Sequence, residues 1–257
     1  MQEKVFIQNP KGLKLASIIR YPGKDRQCPA IMILHGFTGY KEEAHFKELE
    51  KILVKNGFAV IRFDASGSGD SEGSFEKDYS MSNFLKDINS VYNYLQKLEF
   101  VNKDKIGIVG HSMGGLLSIV FASLHPEIYA CVAISSPVIL TETDWIKGTI
   151  ERWEELGWLY KKISRKDSNV RIPFSFITDA NKFDALSYIK KLRCPFLTVL
   201  GLSDDVVSPG DSRRIFQAAN GPRELIEIEG MNHDYKQRPE IVRKVNIKVL
   251  DFLKKYC

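Results

Sequence analysis

Gly110-His111-Ser112-Met113-Gly114 follows the apolar run Ile106-Gly107-Ile108-Val109 and precedes a helix-like run from Leu116 to Leu124. That order reads as strand, sharp turn, helix, with a serine at the apex. A turn this tight forces the serine into a strained backbone conformation, so small residues must flank it. Its hydroxyl then points away from the sheet into open space. A serine displayed in this way is placed to be a nucleophile, provided that a base reaches it.

Outward from that turn, strand-like and helix-like segments alternate. Val5-Phe6-Ile7 and Leu13 to Ile19 read as an opening antiparallel pair around a turn at Asn9-Pro10-Lys11-Gly12. Ala30 to Leu34 is a continuous apolar run, as expected of a strand buried on both faces. Glu43 to Asn56 is helical in period, with Phe46, Leu49, Ile52 and Leu53 on one face and Gly57 as its stop. A strand from Phe58 to Phe63 and a helix from Ser80 to Leu98 follow. Beyond the serine turn, strands are expected at Tyr129 to Ile134, Pro195 to Leu200 and Leu225 to Ile228, and a helix at Val242 to Lys255. This alternation predicts an α/β fold: a mostly parallel twisted sheet flanked by helices, in a single domain spanning 1–257. Ligands of such sheets bind beyond the carboxyl ends of the strands.

The 257 residues carry a net charge of +5, with 44% hydrophobic and 27% charged residues, ordinary for a globular protein. Lysines and arginines are scattered apart from short runs such as Lys161-Lys162 and Arg213-Arg214, which is not a nucleic-acid footprint. No signal-peptide pattern is apparent at Met1 to Arg20, and no apolar stretch reaches the roughly 20 residues needed to span a bilayer. The expectation is a soluble cytoplasmic protein without a membrane partner. Cys28, Cys131, Cys194 and Cys257 have no metal-ligand spacing, and Cys131 and Cys194 read as buried free thiols.

One stretch, 138–184, interrupts the alternation and holds all three tryptophans, Trp145, Trp153 and Trp158. Asp144 to Tyr160 looks like an amphipathic helix, and Lys161 to Phe176 like a hairpin turning at Asp167-Ser168-Asn169. Because the stretch leaves the end of the strand after the serine turn, it is expected to lie over the site as an inserted cap. Trp145 and Trp153 are its candidate substrate contacts. The competing reading is that its aromatics only fill a small core of their own. An exposed cap also offers a surface for a homodimer.

A serine hydroxyl needs a base, and the base needs an orienting carboxylate. Among five histidines, only His35 and His233 follow strands on loops. His111 should point away from Ser112, His45 should sit on a solvated helix face, and His125 should end the helix after Ser112. His233 is the better base, because a late loop can fold back over the sheet centre. For the acid, Asp204 follows the strand ending at Leu200, with Asp205 as a rival. Asp64 is a more distant candidate whose alternative role is to brace the loop Ser66-Gly67-Ser68-Gly69.

Four motifs in one order carry a family resemblance: the Gly-x-Ser-x-Gly turn, His35-Gly36-Phe37-Thr38-Gly39, Gly201-x-x-Asp204, and Gly-x-x-His233. The chain resembles the α/β-hydrolase superfamily over nearly its whole length, and the chain order Ser112, Asp204, His233 is the one that superfamily uses. The stretch Arg62 to Gly73 also looks like the corresponding loop of cinnamoyl and feruloyl esterases. The resemblance implies a serine hydrolase with Ser112 as nucleophile, His233 as base and Asp204 as its orienting acid. It implies an oxyanion hole from the backbone N–H groups of Phe37 and Met113, with His35 and Gly36 shaping the loop. It implies no metal and no organic cofactor. The function expected is a carboxylesterase acting on a small-molecule acyl or aryl ester, hydroxycinnamoyl esters included. A monoacylglycerol lipase and a small acyl-peptide hydrolase are the alternatives within hydrolases, and a small-molecule receptor on the same fold is the alternative outside enzymes.

Overall fold

In the strand Cys28–Leu34, Ala30, Met32 and Leu34 enter one layer of the core while Ile31 and Ile33 enter the other. A strand buried on both faces has no place for polar alternation, so it reads as an unbroken apolar run. The computed structural model, which describes residues 1–163 and 168–257, builds the chain around that strand. The strands in order are Gln2–Gln8 (β1), Lys14–Arg20 (β2), Cys28–Leu34 (β3), Ala59–Phe63 (β4), Val101–His111 (β5), Cys131–Ile134 (β6), Trp158–Ile163 (β7), Ser168–Pro173 (β8), Phe196–Gly201 (β9) and Arg223–Ile228 (β10). Among the described residues, eight of them form one sheet in the order β1-β2-β4-β3-β5-β6-β9-β10. The β1–β2 and β2–β4 pairs are antiparallel, and every pair from β4 to β10 is parallel. The carboxyl ends of β3, β5, β6, β9 and β10 therefore share one edge of the sheet.

Helices cover both faces. Ala44–Lys55 (α1) buries Phe46, Leu49 and Leu53 on one side, and Gly57 follows at φ 93°, the left-handed stop that its position requires. On the opposite side lie Met81–Leu95 (α2), capped by the Ser80 hydroxyl, and Met113–Leu124 (α3). The chain then forms Asp144–Lys147 (α4), Ile150–Leu156 (α5), Ser175–Ala180 (α6), Ala185–Ile189 (α7), Pro209–Ala218 (α8) and Pro239–Tyr256 (α9). The last of these packs beside α1 through Val242, Val245 and Val249. Helix α8 escapes sequence periodicity because it buries little beyond Ser212 and Ile215, yet its start is marked by Ser208 as cap and Pro209 in the first turn. Among the described residues no helix is long and apolar enough to cross a membrane. Cys28, Cys131 and Cys194 are buried free thiols and Cys257 is an exposed one.

The stretch 138–184 enters and leaves the body at neighbouring points, since the Ala185 N–H donates to the Val138 carbonyl at 2.8 Å. The single helix expected at Asp144 to Tyr160 is instead two short ones. Helix α4 ends at Gly148, α5 ends at Gly157 in the left-handed conformation (φ 73°), and Trp158 already belongs to β7. Strands β7 and β8 pair antiparallel from Trp158↔Pro173 to Ile163↔Ser168. Ser168 and Asn169 thus lie in a strand rather than in the hairpin turn expected of them, and Asp167 lies outside the described residues. The segment is anchored on α2, where the Asp179 carboxylate accepts from the Ser82 N–H at 2.9 Å and from its hydroxyl at 2.5 Å.

Trp153 corrects a second expectation. It is 1% exposed, stacks on Phe176, and donates its Nε1–H to the Ile172 carbonyl at 2.9 Å. Its polar atom is committed inside the core, so it is a packing residue and not a substrate contact. Trp153→Phe keeps an aromatic ring but loses the Nε1–H bond to the Ile172 carbonyl and part of the buried ring volume. Urea denaturation should show a loss of about 2 kcal/mol; an unchanged midpoint would contradict this placement.

Candidate active site

Ser112 has φ 57° and ψ −125°, a conformation that side chains rarely adopt. Its N–H donates to the Ile134 carbonyl of β6 at 2.8 Å, and its carbonyl accepts from the Leu116 N–H at 3.1 Å, so both sides of the strained residue are tied down. Close backbone approach makes the flanking glycines obligatory. A Cβ on Gly110 would lie 2.1 Å from the Gly114 carbonyl oxygen, and one on Gly114 would lie 2.6 Å from the carbonyls of Leu34 and His35. The turn therefore packs directly on the end of β3, beside the loop at His35 to Gly39.

The structure brings Ser112, His233 and Asp204 together. His233 Nε2 lies 3.0 Å from Ser112 Oγ, while its Nδ1 lies 3.0 and 3.1 Å from the two carboxylate oxygens of Asp204. A carboxylate only accepts, so Nδ1 carries the ring hydrogen and Nε2 is left to accept from the serine hydroxyl. The Val206 and Val207 N–H groups also donate to Asp204, at 3.0 and 2.9 Å. Burial pushes the Asp204 carboxyl up, but the hydrogen bond and charge of His233, with the Val207 N–H, outweigh it and hold the acid below the usual carboxylate range. The loops carrying Asp204 and His233 are themselves joined. Ser203 N–H donates to the Met231 carbonyl at 3.1 Å, an approach open only because Gly201 has no side chain to fill the 2.1 Å left beside that carbonyl. The rival Asp205 is exposed, and the His233 ring bonds to Asp204 instead.

Met113 is the first residue of α3, so its N–H is among the first-turn donors that have no acceptor within the helix. Phe37 follows Gly36, which lies so close to the turn that a methyl group there would stand 3.2 Å from Ser112 Cβ. The His35 ring braces this loop from behind: it is buried, accepts the Ala65 N–H on Nε2 at 3.1 Å, and lies 2.8 Å from the Gly36 carbonyl through Nδ1. Burial pulls its basicity down. Asp64 holds the loop's far end. Its carboxylate accepts from the Lys41 N–H and ammonium, each at 2.6 Å, and from the Asp70 N–H at 2.8 Å, which is the bracing role anticipated as its alternative.

Ser112 and His233 open on a cavity of about 220 Å³. Phe37, Trp145, Lys161 and Val207 contribute to its walls, so the stretch 138–184 lines the cavity through Trp145 and Lys161. Trp145 packs against Phe37, with ring centroids 5.4 Å apart. Glu43, Asp234 and Lys236 also line it, and Lys236 pairs with both acids, at 2.8 and 3.0 Å. A neighbouring cavity of about 370 Å³, bounded by Thr38, Phe75 and Arg171, shares Gly39 with the first.

Two other histidines surround His233. His45 was expected on a solvated face but is 3% exposed, packed on Phe46 and 5.4 Å from the His111 ring. Burial depresses it to about 3, with Lys236 and His233 adding to the effect, so it stays neutral. The reason lies in α9 and Tyr235, which cover that side of α1 and leave no trace in the local period. The His111 ring packs 4.8 Å from that of His233, with its Nε2 buried and without a hydrogen-bond partner among the described residues. Sequence reasoning gave His111 no role, although its place inside the serine turn was a signal that it would lie against the residue facing Ser112. His125 ends α3 and pairs with Glu127 at 2.9 Å. Among the described residues no cluster of histidine, cysteine and carboxylate side chains is arranged to hold a metal.

Comparison with known proteins adds a family. Residues 29–178 match the model of the α/β-hydrolase fold. Palmitoyl-protein thioesterase ABHD10 of Rattus norvegicus is 27% identical over 242 residues, covering 92% of this chain and 78% of that protein. The 2,6-dihydropseudooxynicotine hydrolase of Paenarthrobacter nicotinovorans is 30% identical over 122 residues, which is 48% of this chain but only 32% of that enzyme's length. Est1E from Butyrivibrio proteoclasticus, solved with ferulic acid bound, superposes with a TM-score of 0.79 at 25% identity, each chain being 98% covered. The matched family, spanning more than half of the chain, and the sheet with its serine turn lead to one assignment: the chain belongs to the α/β-hydrolase fold family and is a hydrolase.

Proposed function

We propose that the protein is a serine carboxylesterase acting on small acyl or aryl esters, with Ser112 as nucleophile, His233 as general base and Asp204 as orienting acid. The observation that carries this reading is the unbroken row of hydrogen bonds from Asp204 through His233 to Ser112, opening on a small cavity. In the first step Ser112 Oγ bonds to the ester carbonyl carbon while its proton passes to His233 Nε2. The charge that collects on the carbonyl oxygen is met by the N–H groups of Phe37 and Met113, the second at a helix N-terminus. The C–O bond to the alcohol then breaks, and His233 returns the proton to the leaving oxygen. Water attacks the acyl-enzyme with His233 again as base, releasing the acid and restoring Ser112. Asp204 keeps the imidazole in the required tautomer and stabilises its charged form.

The size of the site supports small substrates. A cavity of about 220 Å³ lies below the roughly 300–1,000 Å³ typical of sites for drug-sized ligands. The likeness to a structure that binds ferulic acid supports an aryl acyl group. A thioester reading has one observation in its favour, the 27% identity to a palmitoyl-protein thioesterase, and the same steps would cleave a C–S bond. A long acyl chain would have to run on into the neighbouring cavity that shares Gly39. In this reading the stretch 138–184 is a cap, whose Trp145 forms a wall against the substrate.

Two outcomes are expected. Ser112→Ala should lower kcat/KM toward a p-nitrophenyl ester by at least ~10⁴-fold while the thermal midpoint changes little; near-wild-type turnover would remove Ser112 from the chemistry. The pH dependence should show its sign on the acid side. Asp204, held below the usual carboxylate range, stays ionised as the pH falls through mildly acidic values. Asp204 should then contribute no proton uptake over that range, and log kcat/KM should fall with a slope no steeper than one. A slope of two would show that Asp204 titrates as well.

A further inference from the structure

The cavity beside Ser112 holds two lysines in different circumstances. Lys236 is matched by Glu43 and Asp234. Lys161, carried by β7, has its ammonium 4.6 Å from the Trp145 ring centroid and 5.7 Å from that of Phe37, and among the described residues no carboxylate pairs with it. Aromatic faces attract a cation, but they do not replace the hydration that burial removes. Burial alone pulls the basicity of Lys161 down, which marks a charge without an anionic partner among the described residues. Lysine is also an unusual choice for a wall that need only be apolar, since Met or Leu would pack on Trp145 without that cost.

We infer that Lys161 is a specificity residue of this site, pairing with a carboxylate carried by the ester substrate, so that the preferred substrates are anionic esters rather than neutral ones. This inference rests on the esterase reading for its chemistry and on the cavity alone for its binding. The substrate carboxylate would occupy the space between the Lys161 ammonium and Ser112, with its flanking carbons against Trp145 and Phe37. The confined volume suits short half-esters of dicarboxylic acids, or short acyl esters of hydroxy acids. Lys236 cannot serve in the same way, because Glu43 and Asp234 already neutralise it.

The test compares matched pairs. Monomethyl succinate, glutarate and adipate are set against the methyl esters of the corresponding half-amides, and acetyl esters of glycolate and lactate against those of their amides. In the wild-type protein at least one carboxylate member should exceed its amide in kcat/KM by about 10-fold or more, chiefly through a lower KM, as expected for a charge-assisted contact in a confined site. Lys161→Met should bring that ratio close to one, and Lys161→Arg should retain most of it. Equal rates for every wild-type pair, or a preference that survives Lys161→Met, would overturn the inference while leaving the esterase reading intact. If no ester is turned over, the esterase reading fails and binding decides instead. Glutarate but not glutaramide should then perturb tryptophan fluorescence in the wild type and not in Lys161→Met; no difference between the two ligands would overturn the inference there too.

Discussion

The close crossing of β5 and α3 at Ser112 is the constraint on which the site depends. A residue at φ 57° and ψ −125° persists only because its N–H is bound to Ile134 and its carbonyl to Leu116, and because Gly110 and Gly114 let the backbones meet. That crossing lifts the hydroxyl to the carboxyl edge of the sheet. Parallel pairing then determines what can reach it. β9 stands two strand spacings from β5 and β10 three, or roughly 10 and 14 Å at about 4.8 Å per spacing. Asp204 therefore meets the serine only through His233, and His233 must arrive on a loop long enough to fold back across β9 and β6. The hydrogen bond from Ser203 to Met231 fixes the two loops to each other, so Asp204 and His233 are positioned as one unit.

A buried polar frame holds the other wall. Lys41, Asp64 and the Asp70 N–H tie the loop after β3 to the loop after β4, and Arg62 joins β4 to Glu50 of α1 through two bonds of 3.0 and 3.1 Å. Breaking such a pair by removing one partner typically costs about 3–5 kcal/mol, because a charge is left buried and unmatched. His35, neutral and enclosed, continues the frame to Gly36. The N–H groups proposed to receive the oxyanion are thus set on rigid supports, which is what preorganised electrostatic stabilisation requires.

Much of this was legible in the sequence because it rests on local chemistry. The glycines around Ser112, the apolar runs of β3 and β5, and the loops bearing Asp204 and His233 each announce themselves within a few residues. What was hidden depends on distant packing. His45 reads as a surface residue until α9 and Tyr235 cover it. The apolar spacing from Asp144 to Tyr160 fits one helix, but Gly148 and Gly157 divide it and β8 recruits the rest as a strand. Trp145 and Trp153 look equivalent in that spacing, yet one lines the cavity and the other is locked against Phe176 and the Ile172 carbonyl. Substrate choice in this family member would then reside in the part of the chain whose sequence is hardest to read, while the bond chemistry proposed for it resides in the part that is easiest.

The most direct measurement of the central claim is covalent labelling of the folded protein with a fluorophosphonate, followed by mass spectrometry of its peptides. The account predicts one adduct, on Ser112, that forms readily in the wild type, far more slowly in His233→Ala, and not at all once the protein is unfolded. An unlabelled Ser112 in the folded protein, or an adduct on a different serine, would contradict it.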